Sequence, residues 1–208
     1  VSLRVITPPA PLVVPADIAG SHAPDDAKVI AAIAAVTAEI DGPTGWLGRA
    51  IGPQTLELRL DGFDCGEIRL PRPPIIGNVE VRYLDADLGE QTFDADNYEL
   101  LSDGRIWLRN GASWPSLGMH PEPIRIRYQA GYNGTPVADG GTGDVPARIK
   151  QAIIVMVQDL IATKSENLFL RSDEVEGVGT RQYTVSDQAG TIIRRTADRL
   201  LQGLRIYA

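Results

Sequence analysis

The sequence predicts an α+β fold, with an antiparallel β unit lying between two helical stretches and an extended C-terminal tail with a terminal helix. Three observations carry that expectation. Apolar residues recur at helical spacing in two separate stretches, Val29 to Ile40 and Ile149 to Leu160. Between them, from Gln54 to Tyr128, the period changes to two, as it does in half-buried strands. After the second helix a polar, glycine-containing stretch, Arg171 to Thr191, holds too few large apolar side chains to form a core by itself.

The elements follow in order. Residues 1–24 form a proline-punctuated arm, VSLRVITPPAPLVVP at its start, where a signal peptide would be continuously apolar. Pro24-Asp25-Asp26 opens the first helix, whose acidic start suits the positive end of the helix dipole. Val29, Ile33, Val36 and Ile40 share one face of it, and Asp41-Gly42-Pro43 stops it. Residues 25–49 and 145–170 are the helical stretches, and residues 50–133 the β unit between them. In that unit Leu56, Leu58 and Leu60, then Ile68 and Leu70, then Val79, Val81 and Tyr83 alternate inward, and runs at 98–101, 105–108 and 124–128 follow. DG, NG and proline-rich turns separate them. The connection GYNGTPVADGGTGD leads to Pro146, in the first turn of the second helix. Ile149, Ile153, Met156 and Leu160, with Ile154, Val157 and Ile161, give that helix an apolar face wide enough for more than one neighbour. Residues 171–208 are a tether or added strand followed by helical spacing at Ile193, Ala197, Leu200 and Leu204.

At 208 residues the chain buries a core without staples, and its single cysteine, Cys65, excludes an internal disulfide framework. No run approaches the eighteen apolar residues of a membrane span. The expectation is a soluble, unsecreted protein with no membrane partner, assembled in a reducing cytoplasm. The net charge of -7 argues against a nucleic-acid grip, which needs clustered Lys and Arg. Its distribution is uneven. Four arginines against Asp198 leave residues 191–208 at +3, so the preceding 190 carry -10 of the -7 total. The last segment is electrostatically unlike the rest, as a docking element would be.

Candidate chemical sites are few. The stretch YLDADLGEQTF places Asp85, Asp87 and Glu90 around Gly89, but a calcium loop needs ligands at successive odd positions and a closing carboxylate. Here the fifth position is Gly89, so a hairpin tip, with Asp and Gly in the left-handed backbone of a tight turn, accounts for it better. GGTGDVPAR ahead of the second helix has neither a Gly-Lys-Ser/Thr ending nor G-x-G-x-x-G spacing, and reads as a flexible loop ending in an N-cap Asp144. His22 and His120 lie outside any nucleophile or zinc motif, and Cys65 has no cationic neighbour in sequence. Pro71 to Pro74 has PxxP spacing, but its position fits the end of one strand before the next. Trp46, Trp107 and Trp114 keep a carbohydrate-binding β module open as an alternative, and Asp85 with Asp87 a carboxylate-dependent enzyme. No catalytic residue, cofactor or metal ligand is assigned.

One resemblance runs along the chain. ITPP, DDAKVIAAIAAVTAEID, TGWLGRAIGPQTLELRLDGF, IRLPRPPI, VEVRYLDADLGEQTF, YELL, Trp114-Pro115, IRIRYQAGY and VPARIKQAIIVMVQDL, in this order, resemble the tailed-phage head-tail connector (adaptor, or head-completion) family, which also occurs in gene transfer agents. The match covers roughly residues 5–165, with an echo in ADRLLQGLR. PADIAGSHAPDD and the length of the tail beyond residue 170 depart from the family pattern. The resemblance implies a small helical core made by the two main helices, with the antiparallel β unit inserted between them, in a structural adaptor of the virion and not an enzyme. About twelve copies form a ring beneath the portal protein, extend the DNA channel without binding DNA specifically, and meet the next tail-proximal connector or stopper protein. Within that frame the last segment is expected to anchor the chain to the portal. Ile193, Ala197, Leu200, Leu201 and Leu204 would supply the apolar stripe and Arg194, Arg195, Arg199 and Arg205 the carboxylate-pairing charge. The alternative is that this helix folds back onto its own chain.

Overall fold

A computed structural model of the chain describes residues 1–63, 66–162, 172–175, 179–182 and 187–206. Its architecture is α+β, as the periodicities predict. The chain divides into two compact units, one made of Val1–Ala10, Ile40–Val145 and Ile206–Ala208, the other of Pro11–Glu39 and Pro146–Arg205. The proline-punctuated arm is thus shared between them and is not a segment of its own.

The first unit is all strand and loop. Its main sheet has the order β1-β2-β8-β4-β5, from β1 (Ser2–Thr7), β2 (Gln54–Leu60), β8 (Ile124–Ala130), β4 (Ile75–Leu84) and β5 (Glu90–Thr92), every pair antiparallel. A second sheet, β3-β7-β6, is built from β3 (Glu67–Arg69), β7 (Arg105–Leu108) and β6 (Tyr98–Leu100). The alternating residues do what their spacing predicts. Leu56 pairs with Tyr128 and Leu58 with Ile126, and these meet Val81, Ile124, Ile68, Leu70 and Ile106 in one buried cluster that both sheets share. Two buried phenols anchor backbone turns: the Tyr98 hydroxyl donates to the Val79 carbonyl at 2.6 Å, and that of Tyr128 to Pro71 at 2.8 Å. Burial raises both phenols above their ordinary range.

The corner Leu70-Pro71-Arg72-Pro73-Pro74 lies between β3 and β4, as a strand break should. Arg72, at a left-handed φ of 62°, donates from its guanidinium to the carbonyls of Gly45, at 2.8 Å, and Pro43. Gly131 N–H donates to Pro74 at 2.9 Å. The PxxP segment is therefore occupied inside its own unit.

Just past the first helix, Asp41 is a buried carboxylate, 5% exposed. Its Oδ1 accepts from the amides of Gly42 at 2.6 Å and Ile51 at 2.9 Å and from Gln54 Nε2 at 2.9 Å, while Oδ2 accepts from Gly52 at 3.4 Å. One side chain thereby folds the 42–53 loop and delivers the chain into β2. The loop after β8 is equally built. Thr142 Oγ1 donates to Gly131 O at 2.7 Å and accepts from Asn133 N at 3.0 Å, and Asn133 Oδ1 accepts from Thr135 and Thr142 N–H.

In the second unit, α1 (Ala27–Ile40) is capped by Asp26, whose Oδ1 accepts from Lys28 and Val29 N–H at 3.0 and 3.3 Å. The hydrogen bond from Val29 comes first among the causes that hold the Asp26 carboxyl below its ordinary value. Val29, Ile33, Val36 and Ile40 are all buried. The second helix, α2 (Ala147–Ala162), starts three residues after Asp144, with Pro146 O accepting from Ile149 N–H. The residue before the first helical position is therefore Pro146, which leaves Asp144 two residues short of the cap. Ile149, Ala152, Ile153 and Val157 are buried, whereas Leu160 is half exposed. Within 171–191, read above as a tether or added strand, Ser172–Val175 (β9) and Gly179–Gln182 (β10) form an antiparallel pair. A third helix, α3 (Asp187–Leu201), begins four residues before Thr191 and ends in a short 3-10 turn, Gln202–Leu204.

Removing the Asp41 carboxylate strands several inward-facing N–H donors, each costing about 1–3 kcal/mol. Asp41→Ala is expected to lower unfolding free energy by about 3 kcal/mol in urea titrations, and a change under about 1 kcal/mol would mean that the loop is held by other contacts.

Candidate interaction surfaces

The outer face of the main sheet carries two rows of charge. In one, register places Arg4 opposite Glu57, Glu57 opposite Arg127, and Arg127 opposite Glu80. In the next, Arg59 lies opposite Arg125 and Arg125 opposite Arg82. Like charges facing one another destabilise a sheet unless counter-ions sit between them. Here carboxylates do. Glu57 Oε1 accepts from Arg59 and Oε2 from Arg127 at 2.9 Å. Glu122 pairs with Arg59 at 3.3 Å and accepts from Ser2 Oγ at 2.7 Å. Glu90 accepts from Arg125 at 2.9 Å and lies 3.5 Å from Arg82, which also holds Glu80 at 2.8 Å. Glu57 is itself buried, 3% exposed. Burial pushes its carboxyl up, and the hydrogen bonds and charges of Arg127 and Arg59 outweigh burial, so the net direction is down. Four guanidinium groups of the face, Arg59, Arg82, Arg125 and Arg127, are thus engaged by carboxylates of the same chain.

The acidic turn joins β4 to β5, as its flanking alternation predicts. Its mechanics differ from expectation. The left-handed residue is Leu88, at φ 62°, and not an aspartate or Gly89. The reason is Asp85, whose Oδ1 accepts from Asp87 N at 3.1 Å and Gly89 N at 2.9 Å while Oδ2 accepts from Gln91 Nε2 at 2.8 Å. Its own N–H donates to Gly89 O, and Leu88 N–H donates to Asp85 O at 2.9 Å. These bonds close the turn around the carboxylate and force the curvature onto Leu88. Led by the Gln91 bond, they hold the Asp85 carboxyl below its ordinary value. A carboxylate so engaged is a structural acceptor, not half of a proton-transferring pair. The loop before β8 is fastened to this tip: Gly118 N–H donates to Leu84 O at 2.9 Å, and a Cβ at Gly118 would lie 2.2 Å from Asp85 O. Gly118 also lies against Leu88, which is 51% exposed, and the residue after it, Met119, is 98% exposed.

Among the described residues no group of three or more metal-ligating side chains is found, and no helix is long and apolar enough to cross a membrane. His22 Nδ1 lies 3.7 Å from Asp26, and His120 Nδ1 accepts from Glu122 N–H at 2.9 Å. Cys65 lies outside the described residues. Trp114 stacks on Phe63 at 4.4 Å and tilts against Phe93 at 5.2 Å, so its ring is used within the core, while Trp107 stands exposed on β7. That arrangement makes no shared sugar platform. In the second unit α1 and α2 border a groove of about 370 Å³ lined by Val29, Ala32, Ala35, Leu160 and Ile161, with Lys28 at its rim.

The residues expected to dock on a portal divide. α3 lies against α2, and Ala197, Leu201 and Leu204 are buried at 3%, 0% and 6% exposure. Ile193 and Leu200 are half buried, and Arg195, Arg199 and Arg205 are exposed; the Arg194 side chain lies outside the described residues. The buried part of the apolar stripe therefore has a partner within the chain, because a helix with such a stripe finds its nearest apolar neighbour on folding. The exposed side of α3 carries Arg195 and Arg199. Sequence reasoning missed Leu88 and Met119 as surface features, and it missed the ion rows, whose signal was the Glu-x-Arg and Arg-x-Arg spacing on the polar side of β2, β4 and β8.

The fold has counterparts among solved structures of particle necks. It superposes on a chain from the neck of an empty gene transfer agent (GTA) particle, computed with C6 symmetry, with a TM-score of 0.60 and 18% identity over 100% of this chain and 97% of that one. A chain from the virion of a native GTA particle gives a TM-score of 0.59 at 18% identity with the same coverage. The neck of the native GTA particle, computed with C12 symmetry, gives 0.51 at 20% identity over 88% and 81% of the two chains. No protein-family model matches the sequence, and neither does any curated protein.

Two measurements check the site chemistry. Leu201→Ala is expected to cost about 3 kcal/mol in chemical denaturation, and Arg199→Ala less than about 0.5 kcal/mol; the reverse order would mean that α3 is not held by its apolar side. For Asp85 the folded carboxyl is held below its unfolded value, so its stabilisation is full above the ordinary aspartate range and disappears as pH falls through the folded value. The stability gap between the native chain and Asp85→Ala is expected to be open at neutral pH and to close in strong acid, and a gap independent of pH would exclude the carboxylate as its source.

Proposed function

We propose that this protein is a structural head-tail adaptor of a phage or phage-like particle, forming a ring of about twelve copies beneath the portal, extending the DNA channel and joining head to tail. The observation that carries the reading is whole-chain likeness of fold to a neck chain of a GTA particle, together with the C6 and C12 symmetries of those necks. The ordered series of motifs that resembles the connector family supports it independently of the coordinates.

The charge pattern suits a channel element. DNA has to pass without adhering, and adhesion grows with each phosphate neutralised by a free cation. The chain is acidic overall, at -7, and Arg59, Arg82, Arg125 and Arg127 are tied to Glu57, Glu80, Glu90 and Glu122. The portal-facing role falls to the C-terminal segment through Arg195, Arg199 and Arg205, whose exposed guanidinium groups pair bidentately with carboxylates. Residues such as Leu201 hold the helix that carries them. The opposite end of the ring meets the next tail-proximal connector or stopper protein.

Deleting the gene in a producing strain is expected to leave DNA-filled heads that carry portal but no tail, seen by electron microscopy, and a tagged copy is expected to co-purify with portal. Normal tailed particles from the deletion strain would overturn the assignment.

A further inference from the structure

The tip of the β4–β5 hairpin is built in a way that its own fold does not require. Leu88 holds a left-handed backbone, φ 62°, a region that disfavours branched side chains and that glycine or asparagine occupies at lower cost. It is also 51% exposed, and Met119, fastened next to it through Gly118, is 98% exposed. Leu88 is thus held out on a turn made rigid by the Asp85 bonds, and Met119 on the adjoining loop that Gly118 fastens to that turn. Neither contributes core.

We propose that Leu88 and Met119 of one copy seat in the α1–α2 groove of a neighbouring copy, making the head-to-tail contact of the ring; the inference rests on the ring reading given above. The groove is apolar on its floor, through Val29, Ala32, Ala35, Leu160 and Ile161, and Leu160 there is 49% exposed. Its size fits. A cavity of roughly 150 Å³ holds one benzene-sized group, so about 370 Å³ accommodates two such side chains. One charge pair is complementary: exposed Asp87 stands beside Leu88, and exposed Lys28 lines the groove. Asp26, which also lines it, has its carboxylate turned to the Lys28 and Val29 amides, with His22 3.7 Å away. Because tip and groove are different surfaces, the contact is heterologous, and repetition about an axis closes a ring where a self-complementary patch would stop at a dimer.

The test uses the full chain carrying Cys65→Ser. Combining Met119→Cys with Ala35→Cys is expected, under mild oxidation of concentrated protein, to give a ladder of disulfide-linked oligomers beyond the dimer, and either cysteine alone no more than a dimer. Leu88→Asn is expected to leave the melting temperature unchanged or raised while weakening self-association in sedimentation runs by about tenfold or more, as for a contact hot spot; Met119→Ser is expected to weaken association without moving the melting temperature. A lower melting temperature for Leu88→Asn would make Leu88 a structural residue and overturn the proposal. Rings that form normally with Leu88→Asn and give no cross-linked ladder would overturn it while leaving the ring reading in place. A native chain that remains monomeric at every concentration, alone and with portal present, would overturn both.

Discussion

The first unit depends on how one carboxylate closes a loop. Asp41 collects four donors at the point where the helical stretch ends and the first long strand begins, and it does so out of solvent. With those donors satisfied, the 42–53 segment packs Leu47, Ala50 and Ile51 fully out of solvent and sets where Gln54 enters β2. That start fixes which residues of β2 face inward. A slip by one residue would send Leu56 and Leu58 to the outer face and Glu57 into the core. The register of the shared core and the register of the ion rows are therefore the same fact seen from two sides of β2.

Polar groups across the molecule repeat the logic of Asp41 at smaller scale. Asp85 closes a hairpin, Asp26 caps a helix, Asn133 and Thr142 close a loop, and Arg72 gathers carbonyls at a proline corner. Each replaces water around backbone groups that sheet and helix leave unpaired. The acidic composition thus has a structural component: several of its aspartates are acceptors for the chain's own amides. This is also why clusters that look like metal or catalytic sites in sequence resolve into turns.

Much of this was legible in the sequence, and the remainder was hidden for physical reasons. The face Val29, Ile33, Val36, Ile40 and the inward residues of β2, β4 and β8 follow from period alone, since burial imposes that period. β1 was not legible, because Pro8, Pro9 and Pro11 dominate the reading of the first residues and an edge strand needs only one partner. β9 and β10 were hidden by polar composition. The ion rows had a signal in the Glu-x-Arg and Arg-x-Arg spacing, but their pairing was hidden because spacing within a strand says nothing of which strand lies beside it. Leu88 was hidden most deeply: composition pointed to Gly89 as the turning residue, and only the hydrogen bonds of Asp85 decide otherwise. The apolar stripe of α3 was legible; its partner inside the chain was not.

The pairing of β1 with β2 and of β2 with β8 also has a temporal side. Ser2 pairs with Arg59, and Gln54 with Ala130, so the sheet joins residues made far apart in time on a ribosome. The first segment to emerge has no place to go until β2 appears, and β2 stays without its central neighbour until β8 follows. Long-range pairings of this kind close slowly. During synthesis the half-made sheet exposes its apolar side and an unpaired strand edge until β8 arrives, and in that interval the edge can pair with another chain instead of its own.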